Sequence, residues 1–312
     1  MKNFLKKIYF IIRDAKFEVY KYFIFPMMFD KTYKTFSEYK IKSIEETAKE
    51  LLNTNKSIGR FGDGELSWMF GRNNGINNFQ QLSKELSDRL IEVFNSDDDN
   101  FMVTLPDAMK YADKNNFTSD SMNFWKWYLI KNKKRLLNNL NPNKVYYNTS
   151  VTRPYMDYNY NKIANLTYGV LKEIWNDKKI LIIEGSESRL GVTNSLFDNA
   201  KEIKRIECPS TNAFEAYDKI FSYANDFLND NDDYLTLVSL GPTATILSYD
   251  LFKNNHRCID IGHIDVEYEW YLMGAKEKVN LPYKYVNEVN GGHSSLPVND
   301  SKYFEQIIKN ID

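Results

Sequence analysis

The run KILIIE at residues 179–184 restricts the fold of this 312-residue chain more than any other feature. Its unbroken apolar centre suits a strand buried on both faces, which is typical of parallel sheets covered by helices. Before and after it, strand-like runs alternate with stretches of helical periodicity, which is the βαβ pattern. The sequence therefore predicts an α/β fold, a Rossmann-like parallel sheet flanked by helices.

The individual elements follow from apolar periodicity, caps and turn residues. Ser43 and Glu46 form a capping-box pattern ahead of an apolar stripe. The ligand of such a sheet is expected at the carboxyl ends of the strands. Helices are predicted at 43–53, 121–137, 160–175, 192–200, 212–227 and 241–252, and strands at 57–61, 101–105, 145–148, 179–184, 203–208, 234–240 and 258–261.

Three segments are predicted along the chain: an amphipathic helical extension at 1–39, the α/β domain at 40–292, and a C-terminal tail or helix at 293–312. The apolar runs in the first thirty residues are too short to span a bilayer, and no signal-peptide cleavage site follows them. Their helical stripe predicts docking on the protein itself or on a second subunit as a homodimer, or else peripheral contact of residues 1–30 with the membrane. The stripe comprises Phe4, Ile8, Ile11, Ala15, Val19 and Tyr22.

Charge and cysteine content exclude some partners and compartments. The chain has 41 Lys and Arg against 42 Asp and Glu. It therefore lacks the global positive field that holds nucleic acid, and we expect no nucleic-acid partner. Cys208 and Cys258 lie in neither a redox nor a zinc spacing. Buried free thiols are expected, which suits a cytoplasmic setting, at the inner face of the membrane if residues 1–30 bind there.

An acidic pair follows the predicted strand at 57–61. Asp63 and Glu65 are two residues apart, so in extended chain their side chains project to one side and can converge on a cation. Gly62 and Gly64 allow a tight bend and close approach of a diphosphate. Carboxylate oxygens suit Mg²⁺ or Mn²⁺. The alternative is an ordinary Gly-Asp-Gly turn with a helix-capping acid.

The loop from Gly185 to Gly191 has the logic of an anion site, because a strand, a flexible turn and a predicted helix start follow each other. It matches neither a Walker A motif nor a full G-x-G-x-x-G. Arg60 is expected to bind phosphate or to pair with a buried acid. Predicted donors to a phosphate, ribose or base are Arg189, Asn194, Ser210 and Asn212, with helix capping as the alternative for the last two.

Four motifs in one order carry a family resemblance. They are RFGDGEL at 60–66, EG-x-x-SRLG at 184–191, SLGPTAT at 239–245 and DIGHIDVEYEW at 260–270. Over roughly residues 40–292 they resemble the GT-D-fold bacterial glycosyltransferases. The resemblance implies a nucleotide-binding fold, a UDP-sugar donor, Mn²⁺ or Mg²⁺ at the Asp63–Glu65 motif, and hexose transfer, with glucose preferred, to a glycan acceptor on a bacterial surface glycoprotein or polysaccharide.

The last motif supplies the remaining site residues. His263 is expected to complete the metal shell, since Mn²⁺ accepts imidazole beside carboxylates. Asp265 and Glu269 share a face if the segment is helical, so they rank above Glu267 as the base that activates an acceptor hydroxyl. An acidic surface helix with a structural histidine is the alternative.

Two other functions remain open at this stage. One is a non-catalytic nucleotide-binding regulator with the same fold, although the presence of both Asp63 and Glu65 argues against it. The other is a phospho- or pyruvyl-type transferase of cell-wall glycans, which would be indifferent to UDP-sugars.

Overall fold

A computed structural model describes residues 25–72, 79–110, 116–159 and 161–312. Its described residues form one nine-stranded sheet, and every neighbouring pair of strands is parallel. The strands are β1 Lys40–Ile41, β2 Ser57–Gly59, β3 Phe101–Leu105, β4 Val145–Asn148, β5 Lys179–Gly185, β6 Glu202–Cys208, β7 Tyr234–Ser239, β8 Cys258–Asp260 and β9 Ile307–Asn310. They lie in the order β1-β4-β3-β2-β8-β7-β5-β6-β9.

Helices cover both faces of the sheet, as the alternation along β5 shows. Ile180 and Ile182 pack in one apolar cluster, whereas Leu181 and Ile183 pack in another, and all four are fully buried. The predicted α/β fold is therefore confirmed. The helices are α1 Phe25–Phe36, α2 Ile44–Asn53, α3 Asp63–Met69, α4 Lys84–Phe94, α5 Ser119–Asn139, α6 Asn161–Ile174, α7 Tyr217–Asp230, α8 Pro242–Lys253, α9 Ile264–Met273 and α10 Ser301–Gln306.

Local signals in the sequence placed several boundaries correctly. Ser43 and Glu46 cap α2 reciprocally: Glu46 N donates to Ser43 Oγ at 3.1 Å, and Ser43 N donates to Glu46 Oε2 at 2.7 Å. The predicted strands at 101–105 and 145–148 are confirmed as β3 and β4. Pro242 begins α8 directly after Gly241, at a position where its missing N–H costs no hydrogen bond.

The predicted helix at 192–200 is wrong, because the chain forms successive turns there. Arg189, Gly191 and Thr193 have φ angles of 47°, 78° and 73°, outside the right-handed helical region. In addition, Asn194 Oδ1 accepts a hydrogen bond from Leu196 N at 3.0 Å, a side-chain bond that competes with helix formation. The crossover from β5 to β6 thus contains no helix.

The acidic pair also differs from its prediction. Strand β2 ends at Gly59, and Asp63 begins α3 with Gly62 as its N-cap. Asp63 and Glu65 therefore lie on the first turn of a helix and not in extended chain. The argument from alternating strand side chains was wrong, although both residues still follow the carboxyl end of β2.

The ends of the chain add to this picture. The C-terminal segment contributes α10 and also β9, which pairs with β6. Tyr303 Oη donates to Glu207 Oε1 at 2.6 Å and fastens α10 to that strand. The stripe from Phe4 to Tyr22 lies outside the described residues. None of the described helices has an apolar stretch of the length that a bilayer span requires.

The middle of the sheet predicts a first stability test. Ile182→Ala removes a fully buried side chain from β5 and leaves a cavity, so it should lower the free energy of unfolding by about 2–5 kcal/mol. Leu166→Ala on α6, where the side chain is 52% exposed, should change it by about 0.5 kcal/mol or less. Denaturant unfolding measures both, and equal losses would contradict burial of the face of β5 that carries Ile182.

Candidate functional site

A pocket opens at the carboxyl ends of β5, β6, β7 and β8. Strands β6 and β7 lie on opposite sides of β5, so this edge contains a topological switch point, where open α/β sheets bind their ligands. Of the predicted donor-binding residues, Gly185 and Ser210 line this strand-end pocket, as does His263. Its wall includes Gly185 and Ser188 after β5, Ser210 and Thr211 after β6, Gly241 after β7, and His263 after β8.

Buried charges fix the loop at 185–191 beside this pocket. Asp265 and Lys284 form an ion pair whose side chains are 0% and 2% exposed. Asp265 Oδ1 accepts a hydrogen bond from Gly191 N at 2.8 Å, and Lys284 Nζ donates to Arg189 O at 3.1 Å. The ion pair thus forms hydrogen bonds with both an N–H group and a C=O group of the loop backbone.

A second buried ion pair holds the start and end of the same loop. Arg205 Nη1 lies 2.5 Å from Glu184 Oε1, and both side chains are almost fully buried. Leu190 N donates to Glu184 Oε2 at 2.6 Å, while Arg205 Nη2 donates to Leu190 O at 2.9 Å. Burial raises the pKa of Glu184, and the positive charge of Arg205 opposes that rise.

Asp265 and Glu269 do share a face of α9, as predicted for a helix, but that face points to the loop. Asn194 Nδ2 donates to Asp265 Oδ1 at 2.7 Å and to Glu269 Oε1 at 2.9 Å. Neither carboxylate lines the strand-end pocket. Their observed role is to hold the loop through Asn194 and Gly191, and the role of base stays a prediction that this geometry does not support.

Arg189 and Asn212 also make structural contacts in place of the predicted ligand contacts. Arg189 Nη1 donates to Tyr283 O at 3.1 Å and to Leu296 O at 2.7 Å, which ties the loop to the C-terminal segment. Asn212, at φ 53°, accepts Gln81 N at 2.6 Å through its side chain. Neither residue lines the strand-end pocket, so direct contact with a phosphate, ribose or base stays a prediction.

The acidic pair lies at the end of β2, and β8 is the next strand. Gly62 N donates to Glu65 Oε2 at 2.9 Å, so Glu65 is the helix-capping acid of the alternative interpretation. Burial is the main cause that raises the pKa of Asp63 to about 6, and repulsion from Glu65 is the second cause. Two carboxylates that repel each other in a partly desolvated place would be stabilised by a cation.

A network of ion pairs that includes His263 lies next to Asp63 and Glu65. Arg153 forms ion pairs with Glu288 (Nη1 to Oε1, 2.8 Å) and Glu267 (Nη2 to Oε1, 3.2 Å). His263 Nδ1 lies 3.5 Å from Glu288 Oε1. Burial would raise the pKa of Glu288, but Arg153, His263 and Lys278 outweigh it and hold that pKa well below its usual range.

The charges around Asp63 do not balance. Among Asp63, Asp260, Glu267, Glu288 and the Asp, Glu, Lys and Arg residues whose charges shift their pKa values, six are acids and three are bases. The acids, called the acidic cluster below, are Asp63, Glu65, Asp157, Asp260, Glu267 and Glu288, and the bases are Arg60, Arg153 and Lys278.

Known proteins share this architecture. The sequence profile of the glycosyltransferase GT-D fold matches residues 58–289. The chain belongs to the GT-D glycosyltransferase family. A solved structure of the domain of unknown function 1792, described as having a distinct glycosyltransferase fold, is similar to this GT-D chain with a TM-score of 0.83 and 34% identity, covering 91% of this chain and all of that one.

Further relatives are streptococcal. A solved glycosyltransferase of the same domain type from Streptococcus sanguinis has a TM-score of 0.81 and 36% identity, covering 88% of this GT-D chain and all of the other. The probable glycosyl transferase Gly of Streptococcus gordonii is 38% identical over 87% of this chain, and glycosyltransferase GlyD of Streptococcus pneumoniae is 36% identical over 87%. This chain spans only 39% and 32% of the lengths of those two proteins.

Arg60 of this GT-D chain is a buried partner of an acid, the second of its two predicted roles. Its residue is 8% exposed, its Nε donates to Thr149 O at 3.2 Å, and its Nη1 lies 4.0 Å from Asp260 Oδ1. The guanidinium packs directly against Gly262, where a Cβ atom would overlap it. Arg60 thus packs against the loop after β8 and supports it.

Sequence reasoning missed Arg153 and Glu288. Arg153 follows the end of β4 closely, so the rule that ligands gather at strand ends was a usable signal. Glu288 lies in an irregular segment far along the chain from β8, and no spacing marks it. Glu267 was ranked below its neighbours, yet it is the α9 acid that contacts this network.

Two glycine substitutions in the GT-D chain test the packing of Arg60. Gly262→Ala and Gly274→Ala both place alanine at positive φ, 45° and 62°, but the space around Gly274 is open. Backbone strain of about 1–2 kcal/mol should be common to both. Gly262→Ala should lower the free energy of unfolding by about 1–3 kcal/mol more, because its added methyl group overpacks the site. Equal unfolding free energies for the two variants would contradict the Arg60 contact.

The ion pair beneath the loop predicts a larger effect. Lys284→Met leaves Asp265 buried without its partner and should lower the free energy of unfolding by about 3–5 kcal/mol. Amide exchange at Leu190 and Gly191 should accelerate, since both lie in the loop that the pair holds. The exposed Lys276→Met is the matched control. A loss no larger than that of the control would show that the pair does not hold the loop.

Proposed function

We propose that this glycosyltransferase moves a hexose, glucose or a close relative, from a UDP-sugar to a glycan acceptor on a bacterial surface glycoprotein or polysaccharide. The observation that carries the proposal is the position of Asp63 and Glu65. Their helix begins at the end of β2, next to β8, and the loop after β8 is part of the strand-end pocket. An acidic centre beside a nucleotide-type pocket is what a metal-dependent sugar-nucleotide transfer requires.

The strand-end pocket suits a nucleoside diphosphate. Gly241 and His263 are the N-caps of α8 and α9, and both line the pocket, so two helix N-termini border it. Unpaired N–H groups and the positive end of the helix dipole favour a phosphate there. Because Gly185 has no side chain, the backbone of Ser210 can pack closely against it. A Cβ atom at position 185 would lie 3.2 Å from Ser210 Cα. These residues would bind and orient the donor.

The residues at β2 suit Mg²⁺ or Mn²⁺ completed by substrate oxygens. In the described part of the chain, no group of three His, Cys, Asp or Glu side chains is placed to hold a metal, and His263 faces Glu288. Mg²⁺ is commonly held by one or two carboxylates together with substrate phosphates and water. Asp63 and Glu65 would hold the ion, which when bound supplies Lewis-acid stabilisation of diphosphate charge. His263 would stay beside Glu288, outside that shell.

The remaining charged residues would keep this centre in place. Arg153 fixes Glu267 and Glu288, and it lies within electrostatic range of Asp63. Arg60 neutralises part of Asp260 below the loop after β8. Both bases limit the repulsion within the acidic cluster without cancelling it, so the attraction for a divalent cation persists.

We further propose a cytoplasmic location, supported by Cys208 and Cys258, which are both buried free thiols. Contact of residues 1–30 with a membrane surface or with a second copy of the chain is proposed from the sequence stripe alone.

Donor turnover tests the proposed function directly. UDP release from UDP-glucose should depend on Mn²⁺ and stop with EDTA, and Asp63→Asn should reduce it by about 100-fold or more, because the loss of several kcal/mol of charge stabilisation is involved. Asp88→Asn, on an exposed turn of α4, is the control. UDP-, GDP-, dTDP- and CMP-sugars should be compared by thermal shift, in which UDP-sugars should stabilise most. Metal-independent release, or no response to any UDP-sugar, would overturn the assignment.

A further inference from the structure

Two aromatic rings from distant parts of the chain form one wall of the strand-end pocket. Phe79 and Tyr285 both line it, with ring centroids 6.0 Å apart and planes inclined by 31°. Both residues are partly exposed. Neither belongs to a strand or helix, and neither contacts the acidic cluster through a hydrogen bond or ion pair among the described residues. The rings belong neither to the proposed cation site nor to the helix N-termini proposed to bind the diphosphate.

The Phe79 ring is held by the loops after β6 and β7. Asn212 N donates to Phe79 O at 2.7 Å, and Gln81 N donates to Asn212 Oδ1 at 2.6 Å, so Asn212 brackets the short segment 79–81. The ring lies against Gly241, where any Cβ atom would overlap it. Asn212 adopts the left-handed conformation at φ 53°, and Gly241 has a positive φ of 55°, which glycine tolerates.

Tyr285 is held by the loop after β5. Its backbone N donates to Glu187 O at 2.9 Å, and the adjacent Lys284 is the buried partner of Asp265. The backbone of both residues is therefore hydrogen-bonded to loops at the strand ends. A preformed apolar wall binds a flat ligand with little loss of side-chain entropy.

Position along the sheet edge indicates which part of a donor the wall would meet. The acidic pair follows β2, whereas the rings rest on loops after β5, β6 and β7, with β8 between. Strands in a sheet are about 4.8 Å apart, so the ends of β2 and β6 are roughly 19 Å apart over four spacings. A nucleoside diphosphate sugar with its diphosphate near Asp63 and the helix N-termini would place its sugar toward β2 and its base toward the rings.

We infer that Phe79 and Tyr285 hold the nucleobase of the donor by stacking, and that Asn212 is a positioning residue for Phe79. The inference rests on the proposed function of the same pocket. Ser210 and Thr211 line the pocket beside the rings and offer hydroxyl groups to the ribose or to the base edge. Asn212 thus acts on the donor through Phe79, which explains why its side chain is already bonded within the protein.

Calorimetric titration of the full chain with UDP and with inorganic pyrophosphate, both with Mn²⁺, separates base from phosphate. Base stacking on an aromatic side chain corresponds to about 5- to 150-fold in Kd. Phe79→Ala and Tyr285→Ala should weaken UDP by that factor and change pyrophosphate by less than about twofold. Tyr285→Phe keeps the ring and should restore most of the affinity lost in Tyr285→Ala. Phe124→Ala, with its ring 47% exposed on α5, is the control.

Asn212→Gly tests the positioning role, because glycine keeps the left-handed conformation and loses the bond to Gln81. It should weaken UDP in the same direction as Phe79→Ala, and it should add little in the double variant Phe79→Ala/Asn212→Gly, since both act through one ring.

Three results would overturn the inference. They are an unchanged UDP Kd in Phe79→Ala, an equal loss of UDP and pyrophosphate affinity, and a raised acceptor KM with unchanged UDP binding, which would assign the wall to the acceptor. Failure of the unsubstituted chain to bind UDP or any UDP-sugar would instead sink the proposed function, so the two failures are distinguishable.

Discussion

The shape of the site depends on buried charged side chains, which form hydrogen bonds with backbone groups that a helix would otherwise satisfy. In most βα units a helix satisfies its own backbone groups, but the crossover after β5 consists of turns whose N–H and C=O groups need other partners. Ionised side chains supply these partners, and charge-assisted hydrogen bonds of this kind are stronger than neutral ones. The bonds are Leu190 N to Glu184, Leu190 O to Arg205, Gly191 N to Asp265 and Arg189 O to Lys284.

The site has two halves of opposite electrostatic character. At β2 the acids of the acidic cluster outnumber the neighbouring bases. At β7 and β8 the N-termini of α8 and α9 border the pocket and favour an anion. The halves meet at the loop after β8, where Gly262 rests on Arg60 and His263 faces Glu288. The proposed metal-bound diphosphate would be complementary to both halves.

The sequence predicted those parts of the structure that local rules determine. The apolar run at 179–184, the Ser43–Glu46 capping box and the proline at the start of α8 each depend on a few neighbouring residues, and all three were confirmed. The turns at 189–199 could not be predicted in this way, because Asp265, Lys284 and Arg205 stabilise them from distant positions. The same applies to the site: strand ends located Asp63, Glu65 and His263, whereas the pairing of Arg153 with Glu288 spans 135 residues.

The segment that forms α10 and β9 supports the loop at 185–191 beside the strand-end pocket. Arg205 Nε donates to Gln306 at 2.7 Å, and its guanidinium lies 4.7 Å from the centre of the Tyr303 ring. The same guanidinium holds Leu190 and Glu184. Residues 301–310 thus help to hold the loop at 185–191 and are not a dispensable tail. Truncating the protein before Tyr303 to obtain a minimal catalytic unit would remove these contacts of Arg205. The loop at 185–191, which Arg205 holds beside the pocket, would then be less constrained.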